Sequence, residues 1–133
     1  MTFTFAMQGR LESLNQTLKI PKYRFIQSFR RQQMKRQIAR WILYSNVPKF
    51  KGPVKVHFTW VEKDKRRDRD NIRAGSKVIL DALVKMERIK NDSQKWLVEL
   101  TDSYLVDKDN PRVEVTISDA SAASTPTSLP ARA

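Results

Sequence analysis

Two aspartates, Asp68 and Asp70, stand inside the run Lys63-Asp64-Lys65-Arg66-Arg67-Asp68-Arg69-Asp70-Asn71, which sets five basic residues around them. In extended chain, residues two apart point the same way, so the two carboxylates converge. Like charges at that range raise each other's energy unless a cation or basic groups compensate. A hard divalent metal, which takes oxygen ligands, is the natural compensator. The apolar periodicity that follows predicts a helix with its N-cap at Asp70 or Asn71, and a helix N-terminus favours an incoming phosphate. The plain alternative is a solvated loop in which Asp70 caps the helix and Asp68 pairs with neighbouring arginines. A D-x-D by itself does not separate the two.

Further groups fall within reach. Lys77 lies seven residues beyond Asp70, nearly two turns along a continuous helix, on the same face at an axial rise of roughly 10 Å. Its side chain leans back toward the N-terminus and closes part of that gap. Asp81 follows at i+4, where a simple Lys77–Asp81 ion pair is the competing explanation. Asn91-Asp92 sits in the loop beyond the helix, where a third carboxylate can fold back.

The elements that position these groups are read from periodicity. Thr2 to Met7 alternates with Phe3, Phe5 and Met7 on one face, a strand. Tyr23 to Tyr44 contains no Gly or Pro, and Ile26, Phe29, Met34, Ile38, Trp41 and Ile42 recur near helical spacing, which leaves Arg24, Arg31, Lys35 and Arg36 on the wet side. Val54, Val56, Phe58 and Trp60 alternate with Lys55, His57 and Thr59 in a second strand. Ile72, Ile79, Leu83 and Met86 mark one stripe of the second helix, and Leu97–Val106 and Val113–Ile117 are strands joined through the turn-rich Asp107-Lys108-Asp109-Asn110-Pro111. The order β-α-β-α-β-β predicts a single α/β domain of mixed, α+β type over residues 1–118, with a sheet of about four strands and two main helices packed on it. Residues 119–133, rich in Ala, Ser, Thr and Pro, read as a flexible tail.

Composition narrows the chemistry. The 133 residues carry 26 Lys plus Arg against 14 Asp plus Glu, a formal charge of +12. Residues 1–61 hold twelve basic side chains and one acid, Glu12, so the basic surface belongs to the first two thirds. A bound polyanion explains such a surplus, because phosphate contacts release counterions; a solubility surface needs less charge. With no Cys and only His57, thiolate zinc sites, cysteine nucleophiles and His-based metal clusters are excluded. His57 falls on the polar side of its strand and is assigned no catalytic role. Apolar runs are too short to span a bilayer, and no charged-then-apolar leader opens the chain. The acid-poor N-terminal part would suit a transit peptide, but its aromatic and alternating patterns read as fold.

The run Arg67-Asp68-Arg69-Asp70-Asn71-Ile72, then Lys77-Val78-Ile79-Leu80-Asp81-Ala82-Leu83, then Ile89-Lys90-Asn91-Asp92 resembles the core of the RusA-type Holliday junction resolvases, common in phages and prophages. The likeness is convincing over roughly residues 54–117 and extends to the N-terminal strand and helix in order only. It implies a small homodimeric endonuclease, dependent on Mg2+ with Mn2+ as a possible substitute, that binds four-way DNA in the cytoplasm of a bacterial host and nicks opposing strands symmetrically. By position it implies that Asp68, Asp70 and Asp92 are the catalytic, metal-binding carboxylates and that Lys77 assists catalysis. The stretch from Asp70 to Lys77 is about three residues longer than in the shortest members, and Asn91 stands where an acid often precedes the third carboxylate. Lys65, Arg66, Arg67, Arg69 and Arg73 are expected to hold the DNA backbone, contacts that position without reading sequence.

Two rivals belong to other classes. A non-catalytic nucleic-acid-binding protein would use the acids only to tune a basic loop, so that losing Asp70 would leave function intact. A D-x-D glycosyltransferase would need a larger nucleotide-sugar domain and leaves the basic surplus unexplained. A restriction-type nuclease core is disfavoured as well, since no acid is followed two positions later by Lys.

Overall fold

A computed structural model describes residues 1–8 and 24–120, leaving aside the side chains of 24–30 and of Asn71. Residues 9–23, which join the first expected strand to the first expected helix, and the side chains of Arg24, Ile26 and Phe29 lie outside the described residues. The elements in chain order are β1 (Thr2–Gln8), α1 (Arg24–Tyr44), β2 (Val54–Glu62), α2 (Arg69–Arg73), α3 (Ser76–Lys85), β3 (Leu97–Val106) and β4 (Arg112–Asp119). This is the mixed four-stranded sheet with two main helices that the periodicities predict.

The strand order is β1-β4-β2-β3. β4 runs antiparallel to both β1 and β2, and β3 runs parallel to β2. The turn-rich segment 107–111 therefore closes no hairpin; it carries the chain from the edge strand β3 past β2 to β4. A parallel β2–β3 pair needs a long crossover, and α2 with α3 supplies it.

Alternation decides which face of the sheet is buried. Phe5, Met7, Val56, Phe58, Trp60, Val113, Val115 and Ile117 join Met34, Ile38, Ile42, Ile79 and Leu83 from the helices in one core. Trp60, Phe50 and Phe58 are its largest fully buried side chains, Phe5 is buried with them, and Phe3, Trp41 and Tyr104 pack against the core from partly exposed positions. Arg31, Lys35 and Arg36 face water, as the helical stripe requires.

Both long helices stop in the same way. Asn46 (φ 55°) and Glu87 (φ 61°) adopt the left-handed conformation just past the last turn. The next residue then donates back to the final turn, Val47 N to Ile42 O at 3.4 Å and Arg88 N to Leu83 O at 2.8 Å. The expected single helix from Asp70 onward is instead two. The α2 turn begins after Asp68, its N-cap, and ends at a tight link in which Gly75 N donates to Ile72 O at 3.2 Å. Gly75, a poor helix former, is the N-cap of α3. At the far end, Asp119 belongs to β4 and Ala120 is buried, its N–H donating to the Pro53 carbonyl at 3.0 Å. Asp119 and Ala120, the first two residues of the expected tail, thus lie with the sheet, and residues 121–133 lie outside the described part.

Candidate active site

The chain leaves the inner strand β2 at Glu62 and reaches the aspartate turn within six residues. Asp68 is extended (φ −70°, ψ 147°) and uses no side-chain bond to cap α2; its main-chain carbonyl accepts from Ile72 N at 3.1 Å. The Asp68 carboxylate is exposed, as is that of Asp70 in the first turn of α2. Ile72, 6% exposed, plugs the short helix into the core.

Lys77 and Asp92 come together from either end of α3. Lys77 Nζ lies 3.5 Å from Asp92 Oδ2 and 3.3 Å from Asp81 Oδ1. The broken helix removes the two-turn register of Lys77 with Asp70, and the contacts that replace it are these two carboxylates. The Asp81 hydrogen bond and charge, reinforced by Asp92, raise the Lys77 ammonium above its usual range, so it stays protonated at neutral pH. Asn91 shapes the loop that presents Asp92: its Oδ1 accepts the main-chain N–H of Asp92 at 2.7 Å and of Ser93 at 3.3 Å.

The arginines divide into two kinds. Arg66 is exposed, its main-chain N–H held by Asp64 at 3.0 Å, and Lys65 is exposed beside it. Arg67, expected on the DNA side, is turned inward: its Nε and Nη2 bond Glu62 Oε1 and Oε2 at 3.0 and 2.9 Å, with side-chain exposures of 10% and 7%. Arg73 Nη2 reaches Asp102 Oδ2 at 3.4 Å, and the same carboxylate accepts Trp60 Nε1–H at 2.8 Å through its other oxygen. The Arg69 guanidinium carbon lies 4.9 Å from the Tyr104 ring centroid. Burial, with Asp102 nearby, pushes the Tyr104 phenol up.

Sequence reasoning passed over Glu62, Asp102 and Tyr104. Glu62 had one legible signal, since continuing the β2 alternation puts it on the same face as Phe58 and Trp60. Asp102 and Tyr104 share that face because β3 pairs in register with β2, Asp102 opposite Phe58 and Tyr104 opposite Trp60. His57 is occupied on the other face, its ring nitrogens contacting the hydroxyls of Thr101 and, at 3.0 Å, Ser103.

Asp68, Asp70 and Asp92 are hard oxygen donors, the chemistry that Mg2+ and Mn2+ take. Among the described residues, however, no group of three or more acidic or histidine side chains is gathered closely enough to hold an ion. Asp92 is turned to Lys77 instead.

A mixed sheet that presents an acid turn amid basic side chains defines a domain suited to a polyanionic partner. A sequence model described as Endodeoxyribonuclease RusA matches residues 11–118, and the chain belongs to that family. The family comprises endodeoxyribonucleases that resolve Holliday junctions, hydrolases acting on branched DNA. No curated protein matches the chain. Among the described residues, no helix is long and apolar enough to cross a membrane.

Proposed function

We propose that this protein resolves four-way DNA by paired, symmetric nicks, hydrolysing phosphodiester bonds as a homodimer with Mg2+, or Mn2+ in its place, in the cytoplasm of a bacterial cell. The observation that carries the reading is the meeting of Lys77 and Asp92 at 3.5 Å from separate segments, in a chain of this family. Asp68 and Asp70 supply carboxylates from the N-terminus of α2, and Asp92 supplies the third from its loop. Bound to them, a divalent ion would polarise the scissile phosphate and lower the pKa of an attacking water.

The chain's own groups do the rest. Lys77, protonated and exposed, moves from its carboxylate partners to offset charge on the reacting phosphate. Lys65 and Arg66 hold the DNA backbone from the loop. Two subunits put one such site on each of the two strands to be cut, as the two-fold symmetry of a junction demands.

The test is a nicking assay on a synthetic four-way junction beside linear duplex of the same sequence, with and without Mg2+. Junction-selective, Mg2+-dependent nicking is expected. Equal cutting of both substrates would make this a general nuclease, and binding without cutting would make it a non-catalytic junction binder.

A further inference from the structure

The turn that carries Asp68 and Asp70 is fastened from its inner side. Arg67 precedes Asp68 directly, so fixing the Arg67 guanidinium limits where the Asp68 backbone can stand. The guanidinium is fixed by two parallel bonds to Glu62, a fork geometry that permits little rotation. The Glu62 backbone is itself held in the sheet: it ends β2 opposite Val106, and its carbonyl accepts Asp107 N at 2.8 Å. At the other end of α2, Arg73 is held by Asp102, which Trp60 anchors to the core. The acid turn therefore hangs between two carboxylates that the sheet presents, Glu62 on β2 and Asp102 on β3.

Exposure separates Arg67 from the other basic groups of the loop. A phosphate contact must be reachable, and the side chain of Arg66 is 87% exposed against 10% for Arg67. A buried charge pair is poorly screened, and pulling Arg67 away would take from the buried Glu62 carboxylate the charge that compensates its desolvation, so an arriving phosphate does not draw Arg67 out.

We propose that Glu62, through its two-pronged bond to Arg67, is a positioning residue that sets the placement of the Asp68 and Asp70 carboxylates. This deepens the reading of those aspartates as catalytic and rests on it. Arg67 is then no DNA contact, although it stands in the most basic stretch of the chain.

The full-length variants Glu62→Gln, Arg67→Gln, Arg67→Lys and the double Glu62→Gln/Arg67→Gln test it, with three measurements on each. These are junction affinity against salt in EDTA, the single-turnover nicking rate at saturating enzyme with Mg2+, and amide exchange over residues 68–73. Expected in every single variant is a nicking rate lower by about tenfold or more, as misplacement of catalytic groups by a fraction of an ångström produces. Junction affinity and its salt dependence stay within twofold, and exchange quickens over 68–73 but not in β4. Arg67→Lys keeps the charge and loses the fork, so it falls with the others, and the double variant is no slower than the worse single one. Because the double variant removes both charges of this pair together, it remains informative where a single one fails to fold.

A weakened affinity and a salt slope lower by about one in Arg67→Gln, with nicking intact in Glu62→Gln, would make Arg67 a phosphate contact and overturn the proposal. If the wild type nicks no junction, the functional reading fails by itself. Exchange then decides the positioning: quickening over 68–73 upholds it, and an unchanged pattern overturns it.

Discussion

Two ion-paired centres flank the aspartate turn, and they are built oppositely. Glu62 and Arg67 meet at the margin of the core, 7% and 10% exposed, through two bonds of 3.0 and 2.9 Å. Lys77 stands in the open, 69% exposed, shared between Asp81 at 3.3 Å and Asp92 at 3.5 Å. An exposed pair is weak and screened by salt, whereas opening a buried one strands a charge. The first centre is consequently a buried, two-pronged pair and the second an exposed contact that water and salt screen. Charge alone does not distinguish them; depth does.

The contrast is broken most severely at the aspartates between the two centres. Asp70→Asn, and Asp92→Asn likewise, should slow junction nicking by at least about 100-fold, equivalent to about 2.7 kcal/mol of barrier. Junction binding should survive, and EDTA should have the same effect on the wild type; a variant that still cuts would remove its residue from the site. Next in size, Glu62→Ala should cost about 3 kcal/mol of unfolding free energy, because the buried Arg67 guanidinium loses both bonds to that carboxylate. Urea unfolding measures it, and a loss below about 1 kcal/mol would place the pair in the exposed class. Lys77→Gln should reverse that pattern, with nicking slower by on the order of tenfold and a melting midpoint that does not move. A fall in melting temperature without a fall in rate would make Lys77 the structural residue instead. Smallest are Lys65→Ala and Arg66→Ala, each expected to weaken junction binding and to lower the salt slope by about one, with the nicking rate at saturation unchanged.

Much of the fold that carries the candidate site was legible from local pattern. Period-two alternation placed Phe5, Phe58 and Trp60 in the core, and the 3.6-residue period did the same for Ile38, Ile42, Ile79 and Leu83. The second helix was legible in its stripe but not in its continuity, since a lone Gly75 gives no sign of whether packing will bend the chain there. Lys77 was picked out by a register with Asp70 that the break abolishes, and the partner it meets is the loop residue Asp92. The side-chain pairing of the arginines was not legible. Within the run from Lys63 to Asn71 the cations have similar local surroundings, and only the packed chain decides that Arg67 turns in to Glu62 at the end of β2 while Arg66 meets solvent, just as the pairing of β2 with β3 brings Asp102 to Arg73.

Residue types and periods of a few residues were enough for the order of the strands and the two main helices, the buried faces of β1 and β2, the basic field and the acids set within it. The family resemblance was carried by the same short blocks, now matched over residues 11–118. Only the tertiary structure decided the strand order, the meeting of Lys77 with Asp92, and the inward turn of Arg67 onto Glu62. Those depend on which distant segments share a neighbourhood and how deeply, and burial, which turns an ordinary ion pair into a fixed one, is a property of the packed chain.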